Sequence, residues 1–394
     1  MDIAIICDPR VEAPERNTHG VQRIVAHLVQ QLQQMGHNVA LITGGNLRGA
    51  PGASYYKMIE GALESSKAET VHIVTQGVLG LSALRYCLAN GLRFTTAYYT
   101  LYPEWLASRH GWPLFLAYAY IGWFLEKAES VVVPSPSTAE TLKSRGINNI
   151  AVCPLGVDTD CFRPALSPDN LFLPHLARPL FLYVGRVTKE KGVSHFCSVA
   201  PQLPGTVLIV GDGPLRRELA AKYPNIHFAG IKSGAELLAC YQNANVFVFP
   251  SSSDTFGLVL LEALACGLPI AARPVNGPID VIGDPRVGIL DPDIVKAARK
   301  ALTLSGADCR RFALQHSWSQ FAKKVLGVLV PAGGDSSRAI QPRRLTDRYM
   351  LGWALETLVA RTERLLFASE TVANPVCRPS LMARHAEPEN FALK

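Results

Sequence analysis

Two α/β domains, each a parallel, doubly wound sheet, follow from three observations. Strand-length apolar runs alternate with segments of helical period along most of the chain. The alternation occurs twice, on either side of a stretch rich in Pro, Asp and Leu. The length of 394 residues also exceeds what a single core holds. These place a first domain at residues 1–155, a linker at 156–179, a second domain at 180–330 and a tail at 331–394.

In the first domain, residues 2–7 form an apolar run that predicts a buried strand. Asn17-Thr18-His19-Gly20 is a polar, glycine-bearing loop. Val21, Ile24, Val25, Leu28, Leu32 and Met35 then keep a helical period until Gly36. Strands are expected at 39–43, 70–74, 94–97 and 130–133, with helices between them. The first strand is not followed by G-x-G-x-x-G, which argues against a nicotinamide dehydrogenase. Residues 111–125 carry no charge but fall short of the roughly 20 residues a spanning helix needs. They predict a buried helix or, given Trp112, Trp123 and several tyrosines, a monotopic membrane contact.

The linker contains Asp158-Thr159-Asp160, a D-x-D pattern that binds metal in some folds. After a Pro-Leu-Gly sequence it reads better as a turn. The second domain restarts with a strand at 181–184, followed by Gly185-Arg186 and Lys191. A strand at 207–210 leads into Gly211-Asp212-Gly213-Pro214, and further strands are expected at 226–228, 246–249 and 270–272. Residues 316–329 predict a last helix. Residues 331–344 are Gly/Ser/Pro/Arg-rich, 346–370 could form an amphipathic helix, and the end from 371 has a disordered composition.

The stretch at 245–272 carries the chemistry. Its strand is broken by Pro250 and three serines. Asp254 and Thr255 stand where a helix N-cap belongs, and 256–265 have helical composition, closed by Gly267 and Pro269. In a parallel sheet this loop lies at the carboxyl edge, where ligands bind. Glu262 is the only charge on an otherwise apolar helix. Buried without a partner, a carboxylate costs several kcal/mol or neutralises, so a polar group should meet it. Eight positions separate Asp254 from Glu262, roughly 12 Å along a helix axis, with the first N–H groups of the helix between them as a seat for phosphate. Two readings follow. Either a nucleotide sugar lies along the helix start, or Asp254 is a simple N-cap and Glu262 the partner of a core arginine. Arg186 and Lys191, after the first strand of the same domain, are placed to clamp a diphosphate.

Composition narrows the classes further. Hydrophobic residues make up 48% and charged residues 18%, as in globular proteins. The net charge of +7 suits an anionic substrate or a membrane surface, and no dense Lys/Arg run points to nucleic acid. Nine cysteines are scattered, without C-x-x-C or zinc spacing, as expected for reduced thiols in the cytoplasm. The start MDIAIICDPR lacks the basic segment of a signal peptide.

Together these motifs resemble the family four retaining glycosyltransferases, which have the GT-B fold of two Rossmann-like domains facing across a cleft. The likeness covers roughly residues 2–330. Its most specific piece is the Glu-x7-Glu motif, here Asp254-Thr-Phe-Gly-Leu-Val-Leu-Leu-Glu262. HGVQR (19–23), QGVLGLSALRYC (76–87), GVDTDCF (156–162), YVGRVTKEKG (183–192), GDGP (211–214) and PVNGPIDVIGD (274–284) accompany it in order. The first position is Asp rather than Glu, a variant similar to a bacterial and plant branch that includes mannosyltransferases and lipid glycosyltransferases using GDP-mannose or UDP-sugars.

The resemblance implies transfer of a hexose, mannose-type, from a nucleotide diphosphate sugar to a lipid or glycan acceptor, with retention and without metal or other cofactor. It implies catalytic roles for Arg186, Lys191 and Asp254. Arg186 and Lys191 would neutralise the departing diphosphate and Asp254 would hold sugar hydroxyls. Gly20 and Gly211 join the donor-binding set, Phe256 and Gly257 offer backbone N–H groups, and Glu262 holds the ribose. On the acceptor side the branch has a His-Thr pair, where this chain has Tyr99 and Thr100. Tyr99 would either donate its hydroxyl to the reacting sugar in place of the His or narrow the pocket for another acceptor. The substitution also opens an alternative, a nucleotide-sugar-binding protein that has lost transfer. The expected location is cytoplasmic, with peripheral contact at the inner face of the membrane.

Overall fold

A computed structural model of the chain describes residues 1–12, 20–44, 55–165, 176–252 and 254–333, all within one compact unit, Met1–Arg343. The possible amphipathic helix at 346–370 lies outside the described residues.

The first half alternates as expected, with one strand more than the sequence predicts, at Ile150–Val152. Strands β1 (Asp2–Cys7), β2 (Asn38–Thr43), β3 (Thr70–Ile73), β4 (Thr95–Ala97), β5 (Ser130–Val133) and β6 (Ile150–Val152) form one sheet in the order β2-β1-β3-β4-β5-β6. All its pairings are parallel, with Ile3 opposite Val39 and Thr70, and Thr96 opposite Val131. Helices α1 (Gly20–Gln34), α2 (Tyr55–Ser66), α3 (Val78–Ala89), α4 (Tyr102–His110), α5 (Leu114–Leu125) and α6 (Pro136–Lys143) make the crossovers. A parallel pair cannot be joined by a tight turn, which is why helices separate these strands.

The second sheet holds β7 (Leu180–Val184), β8 (Thr206–Val210), β9 (His227–Gly230), β10 (Val246–Phe249), β11 (Ile270–Ala272) and β12 (Gly288–Leu290), in the order β12-β11-β10-β7-β8-β9. Its helices are α7 (Val193–Val199), α8 (Arg216–Lys222), α9 (Gly234–Asn243), α10 (Leu258–Ala265), α11 (Pro278–Val281), α12 (Ile294–Ala301) and α13 (Gly306–Ala313). Side chains alternate between faces along a strand, and here both faces are buried. Leu180, Leu182, Phe247 and Phe249 pack on the side of Leu260, Leu261 and Leu264. Phe181, Tyr183, Val246 and Val248 pack on the side of Phe196, Ile294 and Ala298. That accounts for the unbroken apolar runs of β7 and β10.

Three expectations need correction. The last helix, α14 (Trp318–Leu326), was placed by sequence in the second domain at 180–330, but it packs on α1 of the first. The Trp318 indole stacks on His27 with ring centroids 4.4 Å apart, and Ala332 N donates to the Glu69 carbonyl at 2.6 Å. The chain therefore crosses back before residue 330. Secondly, α10 begins at Leu258 rather than Phe256. Phe256 is drawn into the core, and Gly257 takes the left-handed conformation (φ 88°, ψ 74°) as N-cap, which strains any residue with a Cβ. Thirdly, residues 111–125 are not one helix. Gly111 ends α4 in a left-handed turn, Trp112 is buried and α5 restarts at Leu114. One face of α5 is core, formed by Ala117, Tyr120, Ile121, Phe124 and Leu125, with the Tyr120 hydroxyl donating to the Gln76 carbonyl at 2.6 Å. Leu114 and Phe115 at its start are exposed, to 46% and 72%. No helix among the described residues is long and apolar enough to cross a membrane.

Candidate active site

β7 and β10 are neighbours in the second sheet, so the loops leaving their carboxyl ends lie side by side. One carries Arg186 and Lys191, the other Asp254. Lys191 Nζ donates to Asp254 Oδ2 at 2.6 Å, with side chains 21% and 17% exposed. The other carboxylate oxygen, Oδ1, accepts from Thr255 N at 2.8 Å and sits 3.5 Å from Phe256 N. Asp254 thus caps its own loop rather than α10, whose start has no side-chain cap. The Phe256 amide accordingly faces Asp254, not open space as expected for a donor contact. Arg186 stands apart, half-exposed and 3.5 Å from Glu190. The two cations are therefore not equivalent, because only Lys191 touches the carboxylate.

The polar group demanded by Glu262 is Arg23. Glu262 is 2% exposed, and Arg23 Nη2 lies 2.5 Å from its Oε1. Tyr241 of α9 donates its hydroxyl to Oε2 at 2.8 Å. The Glu262 charge raises the Arg23 pKa, and burial, with Glu262 next in weight, lifts the Tyr241 phenol well above its usual range. Arg23 belongs to α1 of the first domain. A Cβ on Gly20 would come within 4.0 Å of Leu258, so the start of α1 approaches the start of α10. Gly20 faces Leu258, and Arg23 meets Glu262 one turn further on. The core-arginine reading of Glu262 describes the contact, and the arginine is one that composition did not single out. Its signal lay in HGVQR, where the basic residue follows Gly20 by one helical turn.

The first domain also grips the Asp254 loop. Thr255 Oγ1 donates to the Tyr99 carbonyl at 2.8 Å, and Ser135 Oγ and Thr138 Oγ1 lie 3.0 and 3.1 Å from the Thr255 carbonyl oxygen. Ser137 and Asp280 are hydrogen-bonded nearby, and Asn276 donates to Thr141 at 3.0 Å. The Tyr99 ring does not sit where a sugar-facing group was expected. It is 7% exposed and packs edge-on to Phe321 of α14. Its hydroxyl is buried without a hydrogen-bond partner among the described residues. Burial raises its pKa well above the ordinary phenol value. Thr100 is half-buried, and its carbonyl accepts from Tyr102 N at 2.7 Å at the start of α4.

Gly211 is explained by packing. A Cβ there would come 2.0 Å from the Gly185 carbonyl oxygen, with φ at 127°. The glycine lets the β7 and β8 loops close on each other. In the D-x-D, Asp158 Oδ1 accepts from the amides of Asp160 and Cys161 at 3.1 and 2.9 Å, an Asx turn. Among the described residues no group of three or more His, Cys, Asp or Glu has metal-binding geometry.

Comparison with known proteins points one way. Residues 18–161 match the description "Glycosyltransferase Family 4", and residues 178–306 match "Glycosyl transferases group 1". A GDP-mannose-dependent alpha-mannosyltransferase of Mycobacterium tuberculosis (strain CDC 1551 / Oshkosh) is 30% identical over 297 residues, covering 70% of this chain and 76% of the relative. One of the same name from Mycolicibacterium smegmatis (strain ATCC 700084 / mc(2)155) is 27% identical over 357 residues, covering 79% and 93%. The solved sucrose-phosphate synthase of Thermosynechococcus elongatus superposes with a TM-score of 0.62 at 21% identity, covering 93% of this chain and 99% of that one. At that identity the likeness shows the GT-B fold alone.

Proposed function

This chain belongs to glycosyltransferase family 4 and is an enzyme that uses a nucleotide sugar; from that premise we propose that it transfers a mannose-type hexose from GDP-mannose, with retention, to a lipid or glycan acceptor. The observation that carries the reading is the 2.6 Å contact between Lys191 and Asp254 at the uncapped start of α10. A carboxylate there accepts hydrogen bonds from sugar hydroxyls. The Lys191 ammonium and the helix N–H groups stabilise the charge that develops on the departing diphosphate. Arg186, at the same sheet edge, adds a second cation. This electrostatic arrangement supports a reaction that runs without metal. The choice of GDP-mannose rests on the names of the two mannosyltransferase relatives.

A lipid acceptor and a peripheral contact with the cytoplasmic face of a membrane belong to the same reading. Their support is the exposed pair Leu114 and Phe115, beside a groove of about 420 Å³ between α5 and α6.

The test is to incubate the protein with GDP-mannose, UDP-glucose or ADP-glucose and to measure free nucleotide and transferred sugar, with the anomeric configuration read by NMR. Turnover of GDP-mannose with retained configuration is expected. Turnover of UDP-glucose alone, or inversion, would overturn the reading. The alternative, binding without transfer, draws on the buried Tyr99 hydroxyl. It requires tight GDP-mannose binding with no release of sugar to any acceptor or to water.

A further inference from the structure

Thr255 uses every polar group it has, and each goes to a different element. Its N–H donates to Asp254 Oδ1 at 2.8 Å. Its hydroxyl donates to the Tyr99 carbonyl of the first domain at 2.8 Å. Its carbonyl oxygen faces Ser135 Oγ and Thr138 Oγ1, at 3.0 and 3.1 Å, at the start of α6. Ser135 is itself the N-cap of α6, accepting from Thr138 N, so these hydroxyls sit on a rigid element. Thr255 is 8% exposed. Buried polar groups that lose their partners cost free energy, so this arrangement holds only while the two domains are engaged along this line.

We infer that Thr255 is a positioning residue, transmitting engagement of the first domain to the Asp254 carboxylate and hence to the Lys191 it holds. The inference rests on the proposed role of Asp254 in sugar transfer. Its physical basis is a short lever. The Thr255 peptide is pinned on two sides by the first domain, and its N–H fixes the orientation of the carboxylate one residue earlier. Releasing the pins leaves Asp254 able to rotate, and a small misplacement of a reacting group costs a large factor in rate. Donor affinity is expected to change little, because neither Lys191 nor Arg186 is altered.

The experiment compares Thr255→Val, which keeps the side-chain shape but removes the hydroxyl, with Thr255→Ser, which keeps the hydroxyl. The readouts are kcat and KM for donor turnover, and amide hydrogen exchange at residues 254–257. In Thr255→Val, kcat is expected to fall at least roughly tenfold with donor KM within about threefold, in Thr255→Ser kcat returns to within about threefold of the wild type, and exchange at 254–257 rises only in the valine variant. Wild-type kcat in Thr255→Val, or an equal loss in Thr255→Ser, overturns the inference. If Thr255→Val does not fold, the Ser135→Ala/Thr138→Val variant removes the opposing pins and should show the same loss of kcat and the same rise in exchange. Unchanged values there also overturn it. If the wild type turns over none of the donors, the proposed function fails, while the exchange comparison still decides whether Thr255 holds the loop.

Discussion

Arg23 and Glu262 meet at 2.5 Å, one helical turn beyond the point where Gly20 faces Leu258. The pair joins the first helix of one domain to the ligand-edge helix of the other. The Glu262 carboxylate is almost wholly buried, and its two oxygens are covered by Arg23 and Tyr241. Both oxygens are taken within the protein, which makes this contact a tie between domains in the arrangement described.

Removing one member of such a pair leaves an uncompensated buried charge, at a cost of about 3–5 kcal/mol for fully buried pairs. Arg23 keeps about a fifth of its side chain exposed, which puts Arg23→Ala near the lower end, about 3 kcal/mol. Urea unfolding monitored by circular dichroism checks this. Adding Glu262→Gln to Arg23→Ala should restore part of the loss, because the orphaned charge is then gone. If Arg23→Ala unfolds at the wild-type midpoint, the tie does not exist.

The two cations after β7 should separate in their effects. Lys191 touches Asp254, whereas Arg186 is half-exposed and bound to Glu190 at 3.5 Å. Lys191→Ala is expected to lower kcat by about 100-fold, as for the loss of one preorganised electrostatic stabiliser. Arg186→Ala should lower it less, and restoring a cation with Arg186→Lys should recover most of that loss. Steady-state kinetics with GDP-mannose measures both, and a larger loss at Arg186 than at Lys191 would contradict the geometry.

Much of this was legible in the sequence where the signal is local. β7 and β10 are legible as strands because residues 181–184 and 246–249 are apolar runs of strand length. Glu262 stood out as one charge on an apolar helix, and the need for a partner followed from electrostatics. The adjacency of Lys191 and Asp254 followed from both lying at the carboxyl edge. What stayed hidden depends on long-range packing. Arg23 is the one Lys, Arg, Asp or Glu residue of α1, but nothing local says that α10 of the other domain meets it. The Tyr99 ring direction is set by Phe321 on α14, a helix that composition assigned to the wrong domain. Trp112 and Trp123 suggested a wet aromatic edge, but indole content does not say which side of a turn is buried. The exposed residues are Leu114 and Phe115.

Metal dependence can be tested directly. Asp158, the first carboxylate of the Asp158-Thr159-Asp160 turn, already accepts two backbone amides. Sugar transfer is expected to continue in excess EDTA, and Asp158→Asn, which preserves an acceptor for the turn, to retain activity. Loss in EDTA with recovery on Mn²⁺ or Mg²⁺ would show that a divalent ion takes part.

Membrane contact, if made through α5, should depend on its exposed first turn rather than on its tryptophans. Phe115→Ser with Leu114→Ser removes two exposed apolar side chains without opening the core. Co-sedimentation with vesicles containing anionic lipid should fall in this variant, whereas its thermal stability should hold. Equal sedimentation of the two proteins would locate any membrane contact elsewhere.

His72 provides a pH test of the first domain. Its imidazole lies fully buried on β3, with Nδ1 at 2.9 Å from Thr95 Oγ1 and Nε2 without a partner among the described residues. Burial lowers its pKa from 6.5 to about 4. Between these values the unfolded chain binds a proton that the native chain refuses. Stability from this group is therefore complete above pH 6.5 and is lost as pH falls toward 4, by up to about 3 kcal/mol. His72→Met removes the titration while keeping side-chain bulk. Denaturant unfolding at intervals from pH 7 to 4 should show the wild type losing more stability than the variant, with the gap opening below pH 6.5. Parallel curves would mean that His72 is protonated in the native protein or shielded less than its burial implies.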